Sequence, residues 1–212
     1  MEVSPFTVGP IAENCYLIRR DGSDRALIVD PGDEAPRLLG AIEDLGVTLD
    51  AILLTHTHID HVGAVAPLAR ATGAEVWVPE IERFVLADVN AFNPFPEIGP
   101  FEDWEAEHTL VGGERLELAG FEIDVLFTPG HSPGHVTFSV ADERAVFSGD
   151  VLFQGSVGRV DLPGGDWPTL LQSIRSLVDG LPPETTVYPG HMGVTSLGAE
   201  RASNPFLAEL AR

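Results

Sequence analysis

The six residues from His56 to His61, within the stretch THTHIDH, hold three imidazoles and a carboxylate. They follow directly on the apolar run DAILLT, which reads as a β-strand. Nothing else constrains the fold of this chain as strongly. A tight run of histidines gives no packing benefit, and imidazolium rings set side by side repel one another unless they share an ion. Imidazole and carboxylate together suit zinc, and also iron or manganese. The strand therefore has to end where a metal can sit.

Three more apolar strands end in the same way. DVLFTPG is followed by His131, RAVFSG by Asp150 and TTVYPG by His191. A sheet that delivers side chains from the carboxyl ends of several strands builds a site along one edge. Glycines at these ends let the backbone turn without a Cβ penalty. His56, His58, Asp60, His61, His131, Asp150 and His191 exceed the three protein ligands of one catalytic zinc, and serve two ions if one carboxylate bridges. His56 and His58 can point the same way from an extended loop, while Asp60 and His61 follow a bend into a helix. HSPGH offers both His131 and His135, one to ligate and the other to support it or to pack. His108, in the charged EAEHT, reads as an ordinary packed or hydrogen-bonded histidine and not a metal ligand.

The rest of the chain supplies strands and helices around these points. NCYLIRR, DGSD and ALIVD read as a hairpin. EVWV is a short strand, ERLELAGFEIDVLFT a hairpin turning near Ala119 and Gly120, and HVTFSVADERAVFSGD another around ADER. VGAVAPLARATG reads as a helix stopped by Gly73. WPTLLQSIRSLVDGL is an amphipathic helix with Pro168 in its first turn, and NPFLAELAR a closing helix. This pattern predicts sheet packed on sheet with helices outside. Residues 91–108 carry three prolines and the aromatics Phe92, Phe95, Phe101 and Trp104, which excludes one regular element. Two readings stand: a lid over a substrate pocket, or a surface loop pinned by its own aromatics.

Composition narrows the function. A chain of 212 residues, 44% hydrophobic, is expected to form a single domain over 1–212. The net charge is −21 and every one of the 12 basic residues is arginine, which disfavours binding to a nucleic-acid backbone. No run of 18 apolar residues and no signal-peptide pattern is present, and the single cysteine, Cys15, reads as a buried small hydrophobe. The expectation is a cytoplasmic protein with no membrane or nucleic-acid partner.

With these residues in view, the sequence resembles the metallo-β-lactamase superfamily. THTHIDH fits its His-x-His-x-Asp-His signature, and TPGHSPGH, FSGD and YPGH fit its later ligand motifs in order. NCYLI and LIVDPG look like its N-terminal strands. The resemblance covers essentially the whole chain and implies an α+β fold, a four-layer αββα sandwich. It implies that His56, His58 and His131 hold one divalent metal and Asp60, His61 and His191 a second. Asp150 bridges them beside a shared water, which makes Asp60 and Asp150 the catalytic carboxylates. Asp30 and His135 take supporting places. Zinc is the first expectation for both ions, with iron or manganese open.

GSVGRVDLPGGDW and LGAERASNPFL are similar to short bacterial glyoxalase II-like hydrolases. That implies hydrolysis of a small-molecule thioester such as S-D-lactoylglutathione, with Arg159 binding substrate. Two features differ from full-length glyoxalase II. The sequence ends soon after the last ligand motif, where those enzymes carry a helical domain. Asp161 stands where many have tyrosine. A mononuclear iron persulfide dioxygenase using His56, His131 and Asp150 remains the alternative, as does a lactone hydrolase.

Overall fold

A computed structural model describes residues 1–208 of the chain. Its first run of strands is β1 (Glu2–Val8), β2 (Glu13–Arg19), β3 (Arg25–Val29), β4 (Thr48–Leu53), β5 (Glu75–Pro79) and β6 (His108–Leu110), which form one sheet in sequence order. The first three pair antiparallel, and from β3 to β6 the pairing is parallel. Parallel pairing needs crossovers, and the helices α1 (Ala35–Leu45) and α3 (Val65–Thr72) provide two of them. Strands covered on both faces read as continuous apolar runs, and Leu27, Ile28, Ile52 and Leu53 are all fully buried.

The second sheet has the order β14-β13-β10-β9-β8-β7. Its members are β7 (Arg115–Leu118), β8 (Phe121–Phe127), β9 (Val136–Val140), β10 (Ala145–Gly149), β13 (Thr186–Pro189) and β14 (Thr195–Ser196). A small hairpin, β11 (Leu152–Phe153) with β12 (Ser156–Val157), follows β10. β8 and β10 are each antiparallel to β9, and β10 is parallel to β13. The three strands β8, β10 and β13 therefore run in one direction and end at the same edge.

By its internal contacts the chain divides into two compact units, Met1–Val111 with Glu117–Phe121, and Gly112–Leu116 with Glu122–Arg212. The first has a core in which Leu38 and Ile42 of α1 and Val65 and Leu68 of α3 join the sheet residues. The second is organised by α5 (Trp167–Gly180), whose Leu170, Ile174 and Leu177 recur at helical spacing and pack with Val146 and Val187. Each such leucine contributes roughly 1.5–3 kcal/mol by leaving water. Asp166 caps α5, accepting from the Thr169 N–H at 2.9 Å, and Pro168 occupies the first turn as expected.

Most of the expected elements are present, with shifts that have local causes. The helix expected from Val62 to Gly73 is broken. A short α2 (Ile59–Val62) ends at Gly63, and α3 starts after Ala64. Gly73 does stop α3, in the left-handed conformation with φ 74°. The turn at Ala119 and Gly120 is a two-residue hairpin turn, with φ 48° and 79°. The closing helix is a single 3₁₀ turn over Pro205–Leu207, and residues 209–212 of that stretch lie outside the described residues. Helices α1, α4 (Arg83–Leu86) and α6 (Leu197–Ser203) were not anticipated, nor was β1, where Pro5 is tolerated because the strand lies at the sheet edge. Among the described residues no helix is long and apolar enough to cross a membrane.

Candidate metal centre

In the first unit β4 ends at Leu53 and the ligand run begins three residues later. His58 is extended (φ −63°, ψ 148°) and Asp60 and His61 sit in α2, so the bend falls where the sequence placed it. His56 Nε2 and His58 Nδ1 converge to 3.1 Å. Ligand atoms of Asp30, His56 and His61 lie within 4.8 Å of one another. His61 Nε2 is 3.9 Å from Asp60 Oδ2.

The hydrogen bonds behind these rings fix which nitrogen of each ring carries the proton. Thr55 Oγ1 donates its one proton to Asp30 Oδ2 at 2.6 Å. It can therefore only accept from His56 Nδ1, 3.0 Å away, which leaves the lone pair on His56 Nε2. Asp30 Oδ2 also accepts from His61 Nδ1 at 3.0 Å, which puts the lone pair of the neutral ring on Nε2. Asp30 further takes the Thr55 N–H at 2.7 Å and is 2% exposed. It holds a left-handed φ of 49°, a strain that these bonds offset. Asp30 thus sets two imidazole tautomers at once, as a carboxylate behind a metal-binding histidine does.

In the second unit three strand ends meet. β8 leads to His131, β10 to Asp150 and β13 to His191, and Gly190 N–H donates to the Gly149 carbonyl at 2.9 Å. Asp150 Oδ2 lies 3.4 Å from His131 Nε2 and 3.6 Å from His191 Nε2. His131 Nδ1 donates to the Arg159 carbonyl at 2.7 Å, so the lone pair of the neutral ring is on Nε2. His135 is different. Its Nε2 accepts the Asp150 N–H at 3.0 Å and its Nδ1 then donates to Thr128 Oγ1 at 3.1 Å. Both nitrogens are engaged in holding Asp150, so this buried ring supports and does not ligate.

Two glycines let these ligands seat. A Cβ on Gly32 would collide with the Asp60 carbonyl, and one on Gly158 with the Asp150 carbonyl and, at 3.1 Å, His131 Nδ1. Donor atoms of this kind, imidazole nitrogens beside carboxylate oxygens, fit a divalent ion of the zinc, iron or manganese type.

The remaining candidates are also placed. Arg159 is exposed and forms a two-pronged pair with Asp161, at 2.6 Å on each arm. That guanidinium holds the Asp161 carboxyl down at about 2. His108 pairs with Glu75 at 2.8 Å and stacks on Trp77 at 4.0 Å. Cys15 is fully buried, which together with Glu13 and Asp30 pushes its thiol well above the usual range. In the 91–108 loop, Phe95, Phe101 and Trp104 pack on the first core and Phe101 lies against Gly63. Asn90 pins Phe101 through both backbone groups, at 2.8 and 2.9 Å. Phe92 alone of the four is exposed, edge-on to Phe84.

Sequence reasoning missed two buried carboxylates here. Glu82 accepts from the Thr57 N–H at 2.8 Å and Thr57 Oγ1 at 3.0 Å, and Glu13 Oε1 is 3.8 Å from His61 Nδ1. The available signal was the alternation Thr55, His56, Thr57, His58, which in an extended chain turns both threonines away from the imidazoles.

Comparisons with known proteins identify the family and the fold. The sequence pattern of the metallo-beta-lactamase superfamily matches residues 8–191. The chain is 40% identical to the hydroxyacylglutathione hydrolase GloC of Haemophilus influenzae (strain ATCC 51907 / DSM 11121 / KW20 / Rd), over 98% of this chain and 97% of that protein. Among solved structures it is similar to BLEG-1 B3 metallo-beta-lactamase, with a TM-score of 0.92 and 39% identity over 98% of this chain and 100% of the other. It is also similar to TTHA1623 in a di-iron-bound form, with a TM-score of 0.86 and 44% identity over 97% and 100%.

Proposed function

We propose a reaction for this chain from one premise: it belongs to the metallo-β-lactamase superfamily. It has that superfamily's fold, and its histidine and aspartate groups suit divalent metals. The proposed reaction is hydrolysis of a thioester of the S-D-lactoylglutathione type. The observation that carries it is the 40% identity, along nearly the full length of both chains, to a hydroxyacylglutathione hydrolase.

The ligand assignment follows the motif order of the superfamily. His56, His58 and His131 hold one ion, Asp60, His61 and His191 the other, and Asp150 both, so that the chain works as one catalytic domain. The Nδ1 hydrogen bonds of His56, His61 and His131, which put the lone pair of each neutral ring on Nε2, support this. Zinc is the proposed ion, with iron and manganese as alternatives. When bound, such ions lower the pKa of a water and polarise a carbonyl. The chain's own residues do the rest. Asp60 and Asp150 offer carboxylate oxygens that accept from the attacking water and aim it. His135 holds the Asp150 backbone in place. Arg159, whose carbonyl fixes His131, is the proposed substrate-binding residue on the thiol side of the thioester. A thiol has a pKa of about 8.5, so the thiolate departs without a dedicated acid. The substrate is a small cytoplasmic molecule, and neither nucleic acid nor membrane takes part.

A second reading, β-lactam hydrolysis, is favoured by the likeness to BLEG-1. Steady-state kinetics with S-D-lactoylglutathione and a chromogenic cephalosporin on one metal-loaded sample separate the two. Turnover of the thioester, lost in Asp150→Asn, is expected; turnover of the cephalosporin alone would overturn the proposal.

A further inference from the structure

The ligand run alternates Thr55, His56, Thr57 and His58, and each threonine is met by one buried carboxylate. Asp30 takes the N–H and Oγ–H of Thr55 at 2.7 and 2.6 Å. Glu82 takes those of Thr57 at 2.8 and 3.0 Å. The two clamps have the same form, and in both the threonine lies directly before an imidazole of the converging pair. Glu82 reaches Thr57 from a 3₁₀ turn, Glu80–Glu82, that follows β5. It is 5% exposed and Thr57 is 3% exposed, so the contact is closed to water.

We propose that Glu82 is a positioning residue for the metal site, acting through Thr57. By fixing the peptide between His56 and His58 it keeps both rings on one side of the chain. Its buried negative charge also favours a cation in front of those rings. This rests on the reading that the loop binds a divalent ion. Both Thr57 bonds fall on Oε2, and the carboxylate adds negative charge behind the rings, where a low dielectric makes it count.

The test is the zinc affinity of the metal-free protein, measured by competition with a chromophoric chelator, alongside thermal melting of the same samples. Glu82→Leu removes acceptor and charge; Glu82→Gln keeps the acceptor and removes the charge; Thr57→Val removes the hydroxyl donor. Glu82→Leu is expected to weaken zinc binding about 10- to 100-fold, the range for partners that support a metal ligand. Glu82→Gln should fall between it and the wild type, and Thr57→Val should also weaken binding. If Glu82→Leu does not fold, the other two variants carry the test. Zinc affinities within twofold of wild type in every folded variant, whatever the melting temperatures do, would overturn the inference. A wild-type chain that takes no zinc from the chelator would instead overturn the metal reading beneath it.

Discussion

The two ligand clusters are built by opposite means. The first unit places His56, His58, Asp60 and His61 in six consecutive residues, and what stands behind them is carboxylate: Asp30, Glu82 and Glu13. The second unit gathers His131, Asp150 and His191 from three strand ends, and what stands behind His131 and Asp150 is neutral: the Arg159 carbonyl, and His135 with its threonine partner. A local cluster of imidazoles needs little topology but much support, because its members must be turned and their charge balanced. A dispersed cluster gets its geometry from sheet register, and needs only to have its rings oriented. The same choice of ring tautomer is set by side-chain anions in one unit and by a backbone carbonyl in the other.

Breaking each cluster at its glycine should have the largest effect. Gly158→Ala drives a methyl into the Asp150 carbonyl and Gly32→Ala drives one into the Asp60 carbonyl. Both are expected to lose turnover almost completely while circular dichroism still reports a folded chain. Normal kcat in either would mean that the ligand backbone is less constrained than the packing indicates.

Exchanging the supports sharpens the contrast. Asp30→Asn removes an anion and disturbs two histidine tautomers, so metal affinity should fall towards the upper part of the 10- to 100-fold range. His135→Gln replaces one neutral acceptor by another, and its loss should be the smaller of the two. Chelator competition measures both, and the reverse order would remove the distinction between anionic and neutral support.

Asp161→Asn should have the smallest effect. It frees Arg159 from an exposed pair, so the KM for S-D-lactoylglutathione should drop about two- to fivefold, as suits a solvent-screened interaction, with kcat unchanged. The Asp161 carboxyl is held at about 2, below its usual value, by the Arg159 guanidinium. It is therefore ionised throughout the working pH range, and the pair opens only in strong acid as pH falls through that value. The difference in KM should accordingly be flat from pH 6 to 9.

How much of this was legible in sequence follows the same division. The local cluster could be read directly, down to the bend between His58 and Asp60, because its chemistry lies in one run. The strand ends carrying His131, Asp150 and His191 were legible because each apolar run stops at a proline–glycine or serine–glycine pair. The choice between His131 and His135 was not fixed by residue pattern alone; it depends on the Asp150 N–H, 15 residues away, taking up His135 Nε2. Glu82 was missed for a similar reason: the alternation from Thr55 to His58 turns Thr57 away from the rings, but the carboxylate that meets it is 25 residues distant. Helix α1 was missed because Gly40 interrupts it and only Leu38 and Ile42 of its face are buried. The aromatics of the 91–108 loop were legible as anchors, but not which of them would stay exposed.

The central claim is that the two clusters serve one pair of divalent ions through Asp150. Elemental analysis of wild type and Asp150→Asn, both purified without added metal and then loaded with zinc and desalted, tests it most directly. The account predicts close to two metals per chain in the wild type and no more than one in the variant. One metal per chain in both proteins would contradict it.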